Sequence, residues 1–201
     1  MKYYQDITLL PDTEDDLYFL WEKTYQQIHI ALVEIKDAHN RVGVGVSFPK
    51  YCFSGEIKNL GNKLRLLSAS KDLLMELNVE KWLSRLADYV HITRIREVPA
   101  EFEVVMFSRK VVKSNEKLAK ERSKHLGVPY GDALASLKEG GRSGRCNLPF
   151  IQMTSHSTAN AKSFEEKNRF PLFIEKQNVN KMVGGNFDSY GLSRLATVPW
   201  F

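Results

Sequence analysis

The chain has 201 residues, 43% of them hydrophobic, and a formal net charge of +5. That apolar content suffices for one domain or two small ones and excludes a disordered chain, while a pI near 9.1 favours an anionic partner without naming it. Cys52 and Cys146 are far apart, and no apolar run reaches signal-peptide or membrane-spanning length. A disulfide framework, a Cys-x-x-Cys zinc site and a membrane protein are therefore not indicated, and a soluble cytoplasmic protein is expected.

In chain order, Tyr3 to Leu10 reads as a strand stopped by Pro11, and Thr13 with Asp16 approximates a capping box. Leu17, Leu20, Trp21, Tyr25, Ile28, Leu32 and Ile35 recur at helical spacing, predicting a helix to about Lys36. Strands are expected over Val42 to Phe48 and Leu64 to Ala69, then a helical region from Lys71 to Tyr89 broken near Asn78. His91 to Val98 and Phe102 to Val112 read as extended. This order predicts an α+β fold whose residues 1–112 form a ferredoxin-like (RRM-like) βαββαβ domain. The sequence lacks the aromatic signature of an RNA-recognition sheet, so bases are not expected to stack on an open sheet face.

Residues 113–201 are expected to form a smaller α+β domain. Ser114 opens a charged helix to His125, and Pro129 to Leu137 forms a second, short one. Glu139 to Arg145 is a glycine-rich loop, with strands expected at Pro149 to Thr154, Phe170 to Glu175 and Ser189 to Leu192. The closing Trp200-Phe201 pair predicts a docked chain end rather than a frayed one.

Three features carry candidate chemistry. His29 falls on the flank of the first helix's apolar stripe, where an imidazole either bonds a nearby carbonyl or faces outward for proton transfer near neutral pH. Ser155, Ser157 and Thr158 form a hydroxyl cluster after a strand, which suits either turn hydrogen bonds or donation to a phosphate or ribose. No Ser-His-Asp set can be assembled from spacing, which argues against Ser155 as a covalent nucleophile. Lys113, Lys117, Lys120 and Lys124 recur at three- and four-residue spacing, close to Arg109 and Lys110. They make a single-signed helix face with little apolar backing, either a solvated face or a grip on an anionic partner.

Several short segments, in order from end to end, resemble the repeat-cleaving endoribonucleases of type I-F CRISPR systems. They are Tyr4 and Asp6, His29 in Ile-His-Ile-Ala-Leu-Val, Gly45-Val46-Ser47-Phe48-Pro49, and Val112-Lys113-Ser114-Asn115. Leu148-Pro149-Phe150 leading to Ser155-His156-Ser157-Thr158 follows, then Tyr190-Gly191-Leu192-Ser193 and Val198-Pro199-Trp200-Phe201. The resemblance implies that His29 is catalytic, that Ser155 positions the ribose 2′-hydroxyl, and that Tyr190 lies near the active site. It implies that Ser157 and Thr158 hold the scissile phosphate region and that Phe170 stacks beneath the base pair closing an RNA stem. The helix with Lys113, Ser114, Asn115, Lys117, Lys120 and Lys124 is similar to an arginine-rich helix lying along the groove of a short hairpin.

Some positions depart from that pattern. Lysine replaces most of the arginines and gives point charge rather than a bidentate fork. Arg109 matches an arginine that reads a guanine edge, whereas Val111 stands where a glutamine often reads the neighbouring base and cannot make that contact. Readout there is expected to be reduced or moved, for example to Lys110. His156 stands in place of a glutamine, and Ala159 to Arg169 is longer than its counterpart. The implied activity is metal-independent and cofactor-free cleavage of precursor crRNA at the base of its hairpin, by attack of the RNA's own 2′-hydroxyl. The implied partners are the crRNA 3′ stem-loop and the type I-F surveillance complex, through its backbone subunit nearest the crRNA 3′ end; a monomer is expected when free. The alternative is a hairpin-binding cap that does not cut.

Overall fold

The computed structural model describes residues 1–12, 16–113, 115–139, 146–155 and 169–201. Thr13, Ser114, the glycine loop at 140–145, His156, Ser157, Thr158 and the insertion as far as 168 lie outside the described residues.

The chain divides into two compact units, Met1–Arg109 with Leu148–Phe201, and Lys110–Asn147. The junction falls near the expected boundary at Val112, but residues 113–201 are not grouped as one body. Residues 148–201, more than half of that stretch, join the amino-terminal strands, because their strands and turns hydrogen-bond to elements formed before residue 110.

In the first unit β1 (Tyr3–Leu9) leads into α1 (Leu17–Glu34). Asp16 caps α1, its carboxylate accepting from the Phe19 amide at 2.7 Å. The predicted stripe is the buried one: Leu20, Trp21, Tyr25, Ile28 and Leu32 are all in the core. β2 (Val44–Ser47) is followed by a hairpin that sequence reading missed, β3 (Cys52–Ser54) and β4 (Ile57–Asn59), then β5 (Lys63–Ser68). The helical region is α2 (Lys71–Leu77), α3 (Val79–Trp82) and a 3-10 segment at Ser84–Tyr89. It breaks where expected: Asn78 sits at φ +46° and its side chain caps α3. β6 (Val90–Ile92), β7 (Arg96–Glu97) and β8 (Glu103–Lys110) complete this half.

β2, β5, β1 and β6 line up in that order, each neighbouring pair antiparallel, with β7 also pairing β1. Downstream of the second unit come β9 (Phe150–Thr154), β10 (Arg169–Asn178) and β11 (Val198–Trp200). They join β8 in a second sheet ordered β11-β8-β10-β9. The expected strand at Ser189 to Leu192 is instead a tight turn, since the Asp188 carbonyl and carboxylate take up the local amides.

The second unit contains α4 (Asn115–Leu126) and α5 (Tyr130–Glu139). α4 does not stand alone as its composition suggested: Ala119 packs with Ala133 and Leu137 in a small core. At about 100° per residue, Lys117, Lys120 and Lys124 lie opposite Ala119, and all three are exposed. Lys113 precedes α4 and pairs with Glu121 at 2.6 Å, so it is a helix neighbour and not the first member of the stacked row. That contact holds the Glu121 carboxyl below its usual range.

Phe201 is docked through a buried ion pair. Arg65 makes a two-pronged contact with Asp6, at 2.6 and 3.0 Å, and donates to the Phe201 main-chain oxygen at 2.7 Å. Its guanidinium lies over the rings of both Phe201 (3.8 Å) and Tyr4 (4.6 Å), which meet edge to face with centroids 5.1 Å apart. Arg65→Leu therefore removes the closer partner of a buried carboxylate, leaves it the Lys63 ammonium at 3.6 Å, and is expected to cost about 3 kcal/mol in denaturant unfolding. Adding Asp6→Asn should restore part of that loss, and a cost under about 1 kcal/mol for Arg65→Leu alone contradicts this assignment.

Candidate active site

His29 stands on α1, half-buried, with its Nδ1 2.7 Å from the Ser189 carbonyl oxygen. A carbonyl can only accept, so Nδ1 carries the proton and the neutral ring has its lone pair on Nε2. The Tyr190 ring lies flat on the imidazole, centroids 4.1 Å apart and planes 6° from parallel. One turn thus fixes both the tautomer and the tilt of the ring.

The turn that does this is held from three sides. The Asp188 carboxylate accepts from the Tyr190 and Leu192 amides at 2.9 and 3.0 Å. Tyr25, buried on α1 one turn before His29, donates its hydroxyl to the Tyr190 carbonyl at 2.8 Å. The Gly191 carbonyl accepts from the Val46 amide of β2 at 2.9 Å. Gly191 has φ +71°, and a Cβ there would sit 2.5 Å from the Val46 side chain, so both conformation and space require glycine.

Arg109, near the end of β8, reaches the same place. Its guanidinium carbon is 5.4 Å from the Tyr190 ring centroid and 5.2 Å from that of Phe170, the second residue of β10. Burial pushes the Tyr190 phenol up, with the Arg109 charge pulling the other way, so at neutral pH Tyr190 is a neutral O–H and not a base. Asp188 is partly open to water, yet desolvation of its carboxyl raises its pKa against two amide donors and the charges of Arg109 and His29.

Ser155 directly follows β9 and is half-buried. The preceding Thr154 amide donates to Gln26 Oε1 at 3.0 Å, which ties the end of β9 to α1. Gln26 and His29 are three residues apart, about 4.5 Å along the helix axis, so the end of β9 is anchored to α1 within one turn of the residue that carries the imidazole. Ser157 and Thr158 lie outside the described residues, as does Ser114. Lys110 ends β8, and Asn115 begins α4 with its Oδ1 buried and without a hydrogen-bond partner. These and the α4 lysines belong to the second unit. Among the described residues no three His, Cys, Asp or Glu side chains gather as metal ligands, and no helix is long and apolar enough to cross a membrane.

Sequence reading missed Asp188, the Ser189 carbonyl and Gln26. Asp188 had a legible signal, an Asx residue two before Tyr190 in a turn sequence. A backbone carbonyl has none.

Comparison with known sequences places the chain with CRISPR-associated proteins. The family described as CRISPR-associated protein (Cas_Csy4) matches residues 4–201. The chain belongs to that family. It is 32% identical over 203 residues to the CRISPR-associated endonuclease Cas6/Csy4 of Escherichia coli (strain UTI89 / UPEC), with the whole of both chains covered. It is 31% identical, again over the whole of both chains, to the protein of the same description from Pseudomonas aeruginosa (strain UCBPP-PA14).

Two outcomes are expected here. Asp188→Asn retains an oxygen for both turn amides but removes the carboxyl. Because the folded carboxyl titrates above its ordinary 3.8, the parent loses stability as pH rises from 3.8 through the folded value, and the asparagine variant does not. Denaturant midpoints should therefore coincide in acid and separate in favour of Asp188→Asn towards neutral pH; a gap that is constant with pH contradicts the shift. Tyr190→Phe keeps the stack and should retain most RNA cleavage, whereas Tyr190→Ala should slow it about 2- to 12-fold, stacking of this kind being worth about 0.5–1.5 kcal/mol. Equal loss in both would make the hydroxyl the working group.

Proposed function

We propose that this chain is a metal-independent endoribonuclease that binds the stem-loop of CRISPR repeat RNA and cuts precursor crRNA at the base of the hairpin. The single observation that carries the reading is the fixed imidazole: the Ser189 carbonyl and the Tyr190 ring hold His29 with Nε2 as its acceptor nitrogen. The names of the E. coli and P. aeruginosa relatives, CRISPR-associated endonucleases, support it.

The reaction is an internal transesterification. The ribose 2′-hydroxyl attacks the adjacent phosphorus, the bond to O5′ breaks, and the products are a 2′,3′-cyclic phosphate and a 5′-hydroxyl. The nucleophile is already tethered beside phosphorus, so no water needs activating and orientation supplies much of the rate. His29 Nε2 takes the 2′ proton, and a proton returns to the departing O5′. Ser155 orients the attacking oxygen, and Ser157 and Thr158 donate to the phosphate as charge builds on its oxygens. Once protonated, the imidazolium rests on the face of Tyr190, a cation on a π-system.

Arg109 offers a planar fork suited to a guanine edge, and Phe170 beneath it offers a ring for the closing base pair. Lys110, Lys113, Ser114, Asn115 and the row Lys117, Lys120 and Lys124 supply contacts to the hairpin backbone. The strand order β2-β5-β1-β6, with α1 and α2 as crossovers, supports a ferredoxin-like reading of the amino-terminal half. After cutting, the chain keeps the crRNA 3′ hairpin in the cytoplasm and joins the type I-F surveillance complex beside its backbone subunit.

The test is cleavage of repeat RNA by purified protein in EDTA. His29→Ala should slow it by roughly 10²–10⁴-fold with the hairpin still bound. A 2′-deoxy sugar at the cut should allow binding and block cleavage; cutting of that RNA overturns the nucleophile, and binding without any cutting of native RNA makes the chain a cap. Replacing Lys117, Lys120 and Lys124 by alanine should weaken binding and flatten its salt dependence by about one unit of log–log slope for each phosphate no longer neutralised. An unchanged slope removes them from the RNA.

A further inference from the structure

A second feature of the first unit lies along α1, past the candidate active site. A cleft of about 610 Å³ runs between α1 and the Lys81–Leu86 stretch and opens beside Thr154, the residue before Ser155. Its walls carry Lys23, Lys81 and Arg85, all exposed, and the half-buried Trp82, with the Lys81 ammonium 5.8 Å from the Trp82 ring centroid. Among the described lining residues the one carboxylate, Glu22, is paired with Arg169 and lies 3.8 Å from Lys23, so these residues keep a positive balance.

Gln26 lines the same cleft. Its Oε1 is used by the Thr154 amide, but its Nε2 is buried and has no hydrogen-bond partner. A buried amide donor left without an acceptor is costly, and such groups call for an explanation. An incoming acceptor would remove the cost. At 100° per residue, the order around α1 is His29, then Gln26, then Ile30, Lys23 and Gln27. A chain crossing the imidazole, with its paired end near Arg109 and Phe170, therefore continues past Gln26 into the cleft.

We infer that this cleft holds the single-stranded RNA that continues 3′ of the cut, with Gln26 Nε2 donating to a phosphate oxygen, Arg85 and Lys23 neutralising the next phosphates, and Trp82 stacking a base. The recognition is tolerant of sequence, since every base offers a π-face and every linkage a charge. This rests on the endoribonuclease reading and adds to it a substrate segment beyond the hairpin.

The test compares two uncleavable repeat RNAs, each 2′-deoxy at the cut position. One ends just beyond the scissile phosphate and the other carries a 3′ single strand of roughly six uridines, within the span that one such groove covers. Fluorescence anisotropy should give the extended RNA a gain of about tenfold in affinity, the size of one stacked base. Arg85→Ala and Trp82→Ala should bring the ratio of the two affinities to one. Gln26→Glu keeps an oxygen for the Thr154 amide but sets a carboxylate where the phosphate would lie, and should do the same. Equal affinities in the wild type, or a gain that survives all three changes, overturns the inference while leaving hairpin binding intact. Failure of the wild type to bind either RNA overturns the endoribonuclease reading and this one with it.

Discussion

The hydrogen bond from His29 Nδ1 to the Ser189 carbonyl is the contact on which this molecule's chemistry turns. It spans 160 positions of sequence, joining the first helix to a turn near the other end of the chain. A lone histidine on a helix flank could hold either tautomer and swing about two torsions. Here an obligate acceptor sets the proton on one nitrogen, and a parallel aromatic ring removes the swing. The donor–acceptor character of the opposite nitrogen follows from that alone.

Much of the fold serves to keep the turn in place. Tyr25 and His29 sit one helical turn apart and both bond to main-chain oxygens of the turn, at Tyr190 and Ser189. Val46 on β2 takes the Gly191 carbonyl, and the Phe187 ring fills the space above Gly45, where a Cβ would lie within 3 Å of it. The Gly45-Val46 and Tyr190-Gly191 segments are thus two halves of one contact. Tyr4, Asp6 and Phe201 act elsewhere, for through Arg65 they tie the last residue to the two inner strands of the first sheet. Residues that carry a family likeness at the two ends of the chain are, in this case, a structural clamp.

The main elements were legible in the sequence because their signals are local. The apolar stripe of α1, the Asn78 break and the strands flanking it follow from periodicity and turn chemistry. Where reading failed, a long-range partner decided. Ser189 to Leu192 has the look of a strand, but Asp188 captures its amides and makes a turn. Residues 148–201 looked like part of a separate domain, yet β11 pairs with β8 and the Gly191 turn with β2, and no local pattern announces such pairings. α4 seemed to lack packing because Ala119 is a small residue whose partners, Ala133 and Leu137, lie on the next helix. His29, Tyr190, Arg109 and Phe170, named from the family resemblance, lie against one another in the fold. The carbonyl that fixes the imidazole and the Gln26 amide that anchors β9 were not legible, since backbone atoms and a lone glutamine leave no mark in a sequence.

A long-range proton–nitrogen NMR spectrum of the protein, labelled with nitrogen-15 in its histidine rings and recorded at neutral pH without RNA, tests the central claim most directly. The expected spectrum gives His29 a protonated, pyrrole-type Nδ1 and a lone-pair-bearing, pyridine-type Nε2. A neutral His29 ring with its proton on Nε2, or one exchanging evenly between the two tautomers, would contradict that claim.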